Sequence, residues 1–593
     1  MYAVLLLLVA VFFLSFLNRF AGLRSGDGEY TGGVAFLAGR LPYRDYFTTA
    51  PPLNLLKSAL LLKVFGTALI VSRAAGVVER LLIALVLFRW LRQIFRPVPA
   101  LIAGVVTLIA SGGDRTDPVA SYNHDAILWA MLSGLLASFV LGGERRSWGW
   151  FGLAMLSGCF SALSILTKQT VGLGSACTVL AVVALLLLRR VGGGQAARWL
   201  VAFLCGCMLP LAAVGAALAR LHLRHAFLEM LFVKGPAAKA SHASDFLVRE
   251  VLVAWDNFGW FTLGSFALVL GWGAIRRSVG RSTGPPVEDF GDRTNSEPET
   301  RWAGYVLATG LGIFGLAWFL RGSPALHDFS KSAVYFTSLG LTVLLIRYAR
   351  TIGAGGLSAR DAQCLLFAAV SWSVAFTLSL SWPAFEAMVL PGLGFLVAAV
   401  LEGVALRARP FVYAALCLLV LMQVREKLDL PFGFDYQDEA AVRVADSVSN
   451  QPQMRGMRLP KETVRFLDET VAEIRRNTVE GDRIFVYPEM GLLYALSSRS
   501  YPTASGSHNI DVLNDSFAAE EADRLRSAQP AVIVYYRLSE QQQRDAERLW
   551  RGGRSSGQRV LVRAIEDLVR GYRLAGSYRL SVQDPEILVY VRR

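Results

Sequence analysis

Three polar stretches sit at the ends of apolar runs and carry side chains able to do acid–base or phosphate chemistry. The first, "SGDGEYTGGVAFLAGRLPYRDYFTTAPPLN" (25–54), holds the carboxylates Asp27 and Glu29 and, further on, Arg44 and Asp45. The second, "SYNHDAILWAM" (121–131), carries Asp125, and the third, "LSILTKQTVGLG" (163–174), carries Lys168 beside Gly172 and Gly174. A carboxylate partly desolvated at a membrane surface has its pKa raised toward the range useful for taking a proton. An ammonium in a short turn between apolar helices can snorkel to lipid headgroups, and one next to glycines also suits a lipid phosphate.

Each residue has a plainer role as well. Asp27 can cap the helix that follows it, Glu29 can sit in the first turn for the helix dipole alone, and Asp125 stands where a cap is expected. Arg44 and Asp45 can pair with each other. His327 with Asp328 and Lys331, and Lys234, Lys239 and His242, are further candidates for phosphate or acceptor contacts or for solvated loop charge. No His, Cys, Asp or Glu cluster has metal-ligand spacing, so no cofactor is assigned and a divalent metal is left open.

The elements that must position these groups follow from hydropathy. Of 593 residues 54% are hydrophobic, and they concentrate before residue 424 in runs near the length that crosses a bilayer, which makes the chain a polytopic membrane protein. The net charge of +14 comes largely from short Arg clusters beside those runs, such as Arg89/Arg92/Arg96 and Arg189/Arg190. That is a topology signal, and it removes nucleic acid as the reason for the basicity. The six cysteines all fall in apolar runs, so no disulfide framework or zinc pattern is visible; Cys205 and Cys207, two apart in a helix, point to different faces. The opening run "VLLLLVAVFFLSFL" has no basic start and no small-residue cleavage site, and is read as a retained span.

Placing each basic cluster in the cytoplasm gives thirteen spans, at 3–20, 69–92, 98–113, 122–142, 149–167, 171–189, 198–220, 251–275, 302–320, 331–348, 361–381, 386–405 and 410–424. The stretch 25–54, the Lys168 turn and everything after 425 then lie outside, and "GRSTGPPVEDFGDRTNSEPET" is a flexible inner linker. Between the first two spans, Tyr30, Val34, Leu37 and Ala38 share one helical face, and Leu53, Leu56, Leu60 and Val64 share another. Two amphipathic helices lying in the interface fit better than a span, with Pro51-Pro52 ending the connection between them. After 425 the pattern turns to helices alternating with short strands at "DRIFVYP", "PAVIVYY" and "PEILVYVRR", an α/β layer. The expected division is a membrane part, 1–424, with a first outer loop at about 21–68, and an α/β part, 425–593, outside.

The acid pair after the first span, the interfacial helix, "G-x-L-P-Y-x-D-Y" and "P-P-L" together resemble the first loop of the GT-C superfamily of polyprenyl-phosphate-dependent glycosyltransferases. Within it the chain is similar to bacterial protein mannosyltransferases and to lipid A aminoarabinose transferases. One departure is that Gly28 separates Asp27 from Glu29, where the family motif is often two adjacent carboxylates. The resemblance implies a membrane-bound glycosyltransferase, multi-pass in a bacterial inner membrane. It would move a hexose or pentose from a polyprenyl-phosphate donor to a lipid, glycan or protein acceptor on the outer face. It implies catalytic roles for Asp27, Glu29 and Asp125, with Asp27 as base, and donor-phosphate contacts for Lys168, Arg44 and His327. The competing expectation is a transporter or lipid flippase; such a protein should show internal repeats and broken helices at mid-membrane, and neither is evident.

Overall fold

The computed structural model describes residues 1–23, 28–110, 120–142, 148–235, 341, 345, 358–377, 391–403, 409–429, 444–510, 512–580 and 584–593. Asp27, His327, Lys239, His242, Asp328 and Lys331 lie outside the described residues, as do the spans expected at 251–275 and 302–320 and nearly all of 331–348.

The first half is helical: α1 (Tyr2–Leu14), α2 (Gly28–Leu37), α3 (Pro52–Phe65), α4 (Leu69–Ile94), α5 (Pro97–Ala110), α6 (Tyr122–Gly142), α7 (Trp148–Thr167), α8 (Gln169–Val191) and α9 (Gly193–Arg220). Among the described residues four helices are long and apolar enough to cross a bilayer, at Tyr122–Gly142, Gly149–Thr167, Gln169–Arg190 and Gly193–Arg220. Without a hydrophobic drive between helices in lipid, packing relies on small residues and polar contacts. A Cβ added at Gly158 of α7 would fall 1.9 Å from the Phe203 carbonyl oxygen of α9, and one at Gly206 would fall 1.9 Å from that of Met155. The two helices therefore touch backbone to backbone, and Cys207 completes the contact by donating its thiol to the Gly158 carbonyl at 3.1 Å while Cys205 stays exposed. Between α6 and α7 the buried Ser133 hydroxyl lies 3.1 Å from that of Ser157 and 2.8 Å from that of Ser161.

Helices α2 and α3 pack on each other, and Pro52 occupies the first turn of α3, where its missing N–H costs nothing. Thus Pro51-Pro52 opens α3 as well as closing the preceding connection. On α3 the set Leu56, Leu60 and Val64 is exposed, 63% for each of the last two, while Asn54, Leu55, Ser58, Ala59 and Leu62 are buried. The apolar stripe faces outward, as an interfacial helix requires, and the inward stripe is the partly polar one.

From residue 461 the chain forms a helix (Lys461–Asn477), strand β1 (Ile484–Tyr487), helices Gly491–Ser497 and Asp515–Ala528, and strand β2 (Val532–Tyr536). Two further helices (Glu540–Arg551 and Gln558–Val569) precede β3 (Tyr572–Tyr578) and β4 (Ile587–Arg592). The sheet order is β1-β2-β4-β3, with β1 and β2 parallel and the other pairs antiparallel. The helix Gln558–Val569 ends short of Tyr572, and the chain turns at Gly571 into β3, an edge strand whose largely exposed side chains hide the strand signal.

Side chains alternate across a strand. Phe485, Tyr487, Ile533 and Tyr535 face Leu525, Leu561 and Ile565. Ile484, Val486, Val532 and Val534 face the other way, into one apolar cluster with Phe466, Val471 and, from the first half of the chain, Phe20, Leu23, Tyr30, Leu62 and Leu69. One face of the sheet is thus packed on the first loop. Backbone bonds reinforce the seam: Phe20 N to Arg458 O at 2.9 Å, Arg458 N to Asn18 O at 2.7 Å and Phe47 N to Ala504 O at 2.7 Å.

Candidate active site

The site is built around the start of α6. The first N–H groups of a helix have no partner inside it and attract anions. Here two carboxylates from other elements supply the acceptors: Glu29 of α2 takes the Tyr122 N–H at 3.1 Å through Oε1, and Glu79 of α4 takes the Ser121 N–H at 3.3 Å through Oε2. Asp125, one turn in, donates its own N–H to the Ser121 carbonyl and turns its side chain away from the helix end. Its Oδ2 accepts the Asn54 amide at 2.9 Å and the Lys57 ammonium, which also bonds Glu79 Oε1. Asp125 is therefore no N-cap; that work falls to Glu29 and Glu79.

Lys168 terminates α7 and opens α8, with extended backbone and its N–H on Ser164 O at 2.8 Å. Its ammonium donates to Asn123 Oδ1 at 2.5 Å and lies 4.9 Å from the centre of the Tyr122 ring. Next to it Gln169 reaches the Thr49 carbonyl at 3.4 Å, which ties this turn to the strap between α2 and α3. Glu29 and Lys168 thus both bond to residues of the 121–125 stretch that carries Asp125, across 93 and 45 positions of sequence.

The charges are unequal in strength. Burial works against the Lys57 ammonium, but Glu79 and Asp125 outweigh it and hold its pKa above the ordinary value. Desolvation dominates at Glu29 and pushes its pKa up to about 7, against the lowering pull of the Tyr122 N–H. Glu29 Oε1 is anchored by the Tyr122 N–H, and the Glu29 backbone N–H is a second donor to the carboxylate. A half-buried carboxyl with a pKa near neutrality can accept and return a proton.

Arg44 has a different place. It forms a two-pronged pair with Asp45, 2.8 Å at each contact, and is largely exposed. Arg44 lowers the Asp45 pKa, and none of its contacts is with the α6 cluster. Lys234 lies 3.0 Å from Glu229 and over the Phe517 ring. Among the described residues no three His, Cys, Asp or Glu side chains are grouped to hold a metal ion.

Lys57, Glu79 and Asn54 escaped the sequence reading. A signal existed for each. Asn54, Lys57 and Ser58 form a polar stripe beside Leu56, Leu60 and Val64, and Glu79 is an acid inside an apolar run, the kind of residue that marks function in a membrane helix.

No family model and no curated protein matches the chain. Among solved structures it is similar to the oligosaccharyltransferase AglB of Archaeoglobus fulgidus in complex with an inhibitory peptide and a dolichol-phosphate. There the TM-score is 0.45 at 12% identity, over 99% of this chain and 75% of that one. It is also similar to ArnT of Cupriavidus metallidurans bound to undecaprenyl phosphate, with TM-score 0.44 at 14% identity, over 99% of this chain and 97% of that one. Likeness of this degree does not define the chemistry of this chain, which rests on its own residues.

Proposed function

We propose that the protein is an integral membrane glycosyltransferase that moves a sugar from a polyprenyl-phosphate donor to an acceptor hydroxyl at the membrane surface. The observation that carries this is the α6 start, where a carboxyl poised near neutrality and an ammonium meet at the level of two interfacial helices. In the reaction the acceptor oxygen bonds to the anomeric carbon, the bond from that carbon to the phosphate oxygen breaks, and the acceptor proton passes to a carboxylate. The Glu29 carboxylate is the described group best suited to take it, with Asp27, two residues earlier, as the alternative base. Lys168 stabilises the departing lipid phosphate. Lys57 holds Asp125 and Glu79 in place rather than reacting, since both carboxylates already claim it.

The proposal includes thirteen crossings, a membrane part over 1–424 and an outer part over 425–593, in a bacterial inner membrane. The packing of the sheet on the first loop supports a shared side for the two. Single cysteines at Ser555, which is exposed, and at Ser296 of the expected inner linker test this in a chain whose native cysteines are replaced. An impermeant thiol reagent on intact cells should label the first alone; equal labelling contradicts the topology.

The activity itself is tested with the purified protein in lipid, a panel of labelled polyprenyl-phosphate sugars and hydroxyl acceptors. Release of free polyprenyl phosphate with label on the acceptor is expected. Movement of intact donor across the bilayer without such release would favour the flippase reading instead.

A further inference from the structure

The C-terminal sheet carries a cavity that shares no residue with the α6 cluster. It has a volume of about 870 Å³ and opens where β2 ends and the helix Glu540–Arg551 begins, bounded on its far side by Arg579 and by Asp584–Glu586. That volume is within the range of small-molecule sites, roughly 300–1,000 Å³. The cavity lies beyond the carboxyl end of β2, the strand that runs parallel to β1.

The walls carry four arginines, and two of them are satisfied within the protein. Arg537 pairs with Glu586 at 3.0 Å, and Arg559 binds Glu540 at 3.0 Å and Glu547 at 2.7 Å. Arg563 and Arg579 have no hydrogen bond or ion pair among the described residues, although both line the cavity. Of the wall acids not paired with an arginine, Asp584 accepts the Tyr536 hydroxyl at 3.4 Å and Glu566 accepts that of Tyr535. The helix start is not available to an anion in its own right, because Ser539 and Gln542 close it with a capping box. What remains is two guanidinium groups that favour planar carboxylates or phosphates, beside the Gln543 amide, which suits a hydroxyl group, since Gln541 bonds Asp545 and Gln542 the cap. No aromatic ring lines the cavity, so it offers no stacking face for a neutral sugar.

We infer that this cavity binds an acidic saccharide, its charged group held by Arg563 and Arg579 and a hydroxyl by Gln543. It would give the protein a second contact with a glycan, away from the residues proposed for transfer. The inference stands whether or not the α6 cluster transfers a sugar.

The test uses the full-length protein in phosphatidylcholine nanodiscs and three probes measured by calorimetry: trigalacturonate, its carboxyl-reduced neutral counterpart, and inorganic pyrophosphate. Trigalacturonate should bind, the neutral trisaccharide at least tenfold more weakly, and the Arg563→Gln/Arg579→Gln variant should lose trigalacturonate binding at least tenfold. Both arginines are exposed, so unchanged thermal unfolding confirms that the variant is folded. No binding of trigalacturonate, equal binding of the neutral sugar, or unchanged binding by the variant overturns the inference. Pyrophosphate binding as tight as trigalacturonate would also overturn it, by reducing the cavity to an adventitious anion site.

Discussion

Two buried carboxylates in this molecule meet opposite fates. Glu521, in the C-terminal region, is fully buried and accepts the Ala504 and Ser505 N–H groups at 3.0 and 2.9 Å and Arg524 at 2.8 Å, with His508 at 3.4 Å. Burial alone would raise its pKa, but His508 and the backbone donors pull it below the ordinary value. Among the described residues Glu29 has only two backbone N–H donors, those of Tyr122 and of its own residue, and there burial wins, leaving the group near 7. Both acids bear a desolvation cost, and the number of donors decides the outcome. A saturated carboxylate is a brace: Glu521 holds the segment whose Ala504 carbonyl receives Phe47 of the first loop. An undersaturated one is left able to take a proton, the role proposed for Glu29.

The contrast can be broken most forcefully at Lys57. Lys57→Ala leaves Glu79 and Asp125 buried without the cation they share, and loss of one partner of a buried pair costs about 3–5 kcal/mol. Thermal unfolding in detergent should fall accordingly; an unchanged midpoint would mean that the two acids are not held by this ammonium. Glu521→Gln should cost less, about 1–3 kcal/mol, because an amide oxygen still accepts from the backbone. Its transfer activity, once folded, should stay near that of the unmodified protein, and a selective loss of activity would move Glu521 from brace to site. Arg44→Ala should change neither stability nor transfer measurably, since an exposed pair contributes little. A raised KM for donor in that variant would restore the donor-phosphate role expected from the sequence.

The two acids also set opposite pH dependences of stability. The folded pKa of Glu29 is raised, so its contribution is fully present below about 4.5 and fades as pH rises toward about 7. That of Glu521 is lowered, so its contribution is present above the ordinary carboxylate range and is lost as pH falls through the folded value.

Much of the membrane part could be read in advance because lipid demands long apolar helices. The spans expected at 122–142 and 149–167 appear as Tyr122–Gly142 and Gly149–Thr167. Of the expected site, Glu29, Asp125 and Lys168 gather at one helix start, whereas Arg44 turns to Asp45. The proximity of Lys57 and Glu79 could not be read, because 22 residues of helix and turn separate them and only the packing of α3 on α4 joins their ends. Strand β3 was hidden for a different reason: "YRLAGSY" lacks β-branched residues and takes its strand character from its antiparallel pairing with β4. Nor does hydropathy reveal that the sheet lies on the first loop, since Phe20 and Leu23 read equally well as the end of a span.

The most direct test of the central claim is the pH dependence of sugar transfer in the unmodified protein and in Glu29→Gln, with donor and acceptor held constant. The glutamine retains an oxygen for the Tyr122 N–H but cannot take a proton. The unmodified protein should gain kcat/KM as pH rises through about 7, and the variant should fold, bind donor and lose about 10²–10⁴-fold in rate, with that limb gone. Undiminished transfer by Glu29→Gln, with the limb near 7 still present, would contradict the account and pass the role of base to Asp27.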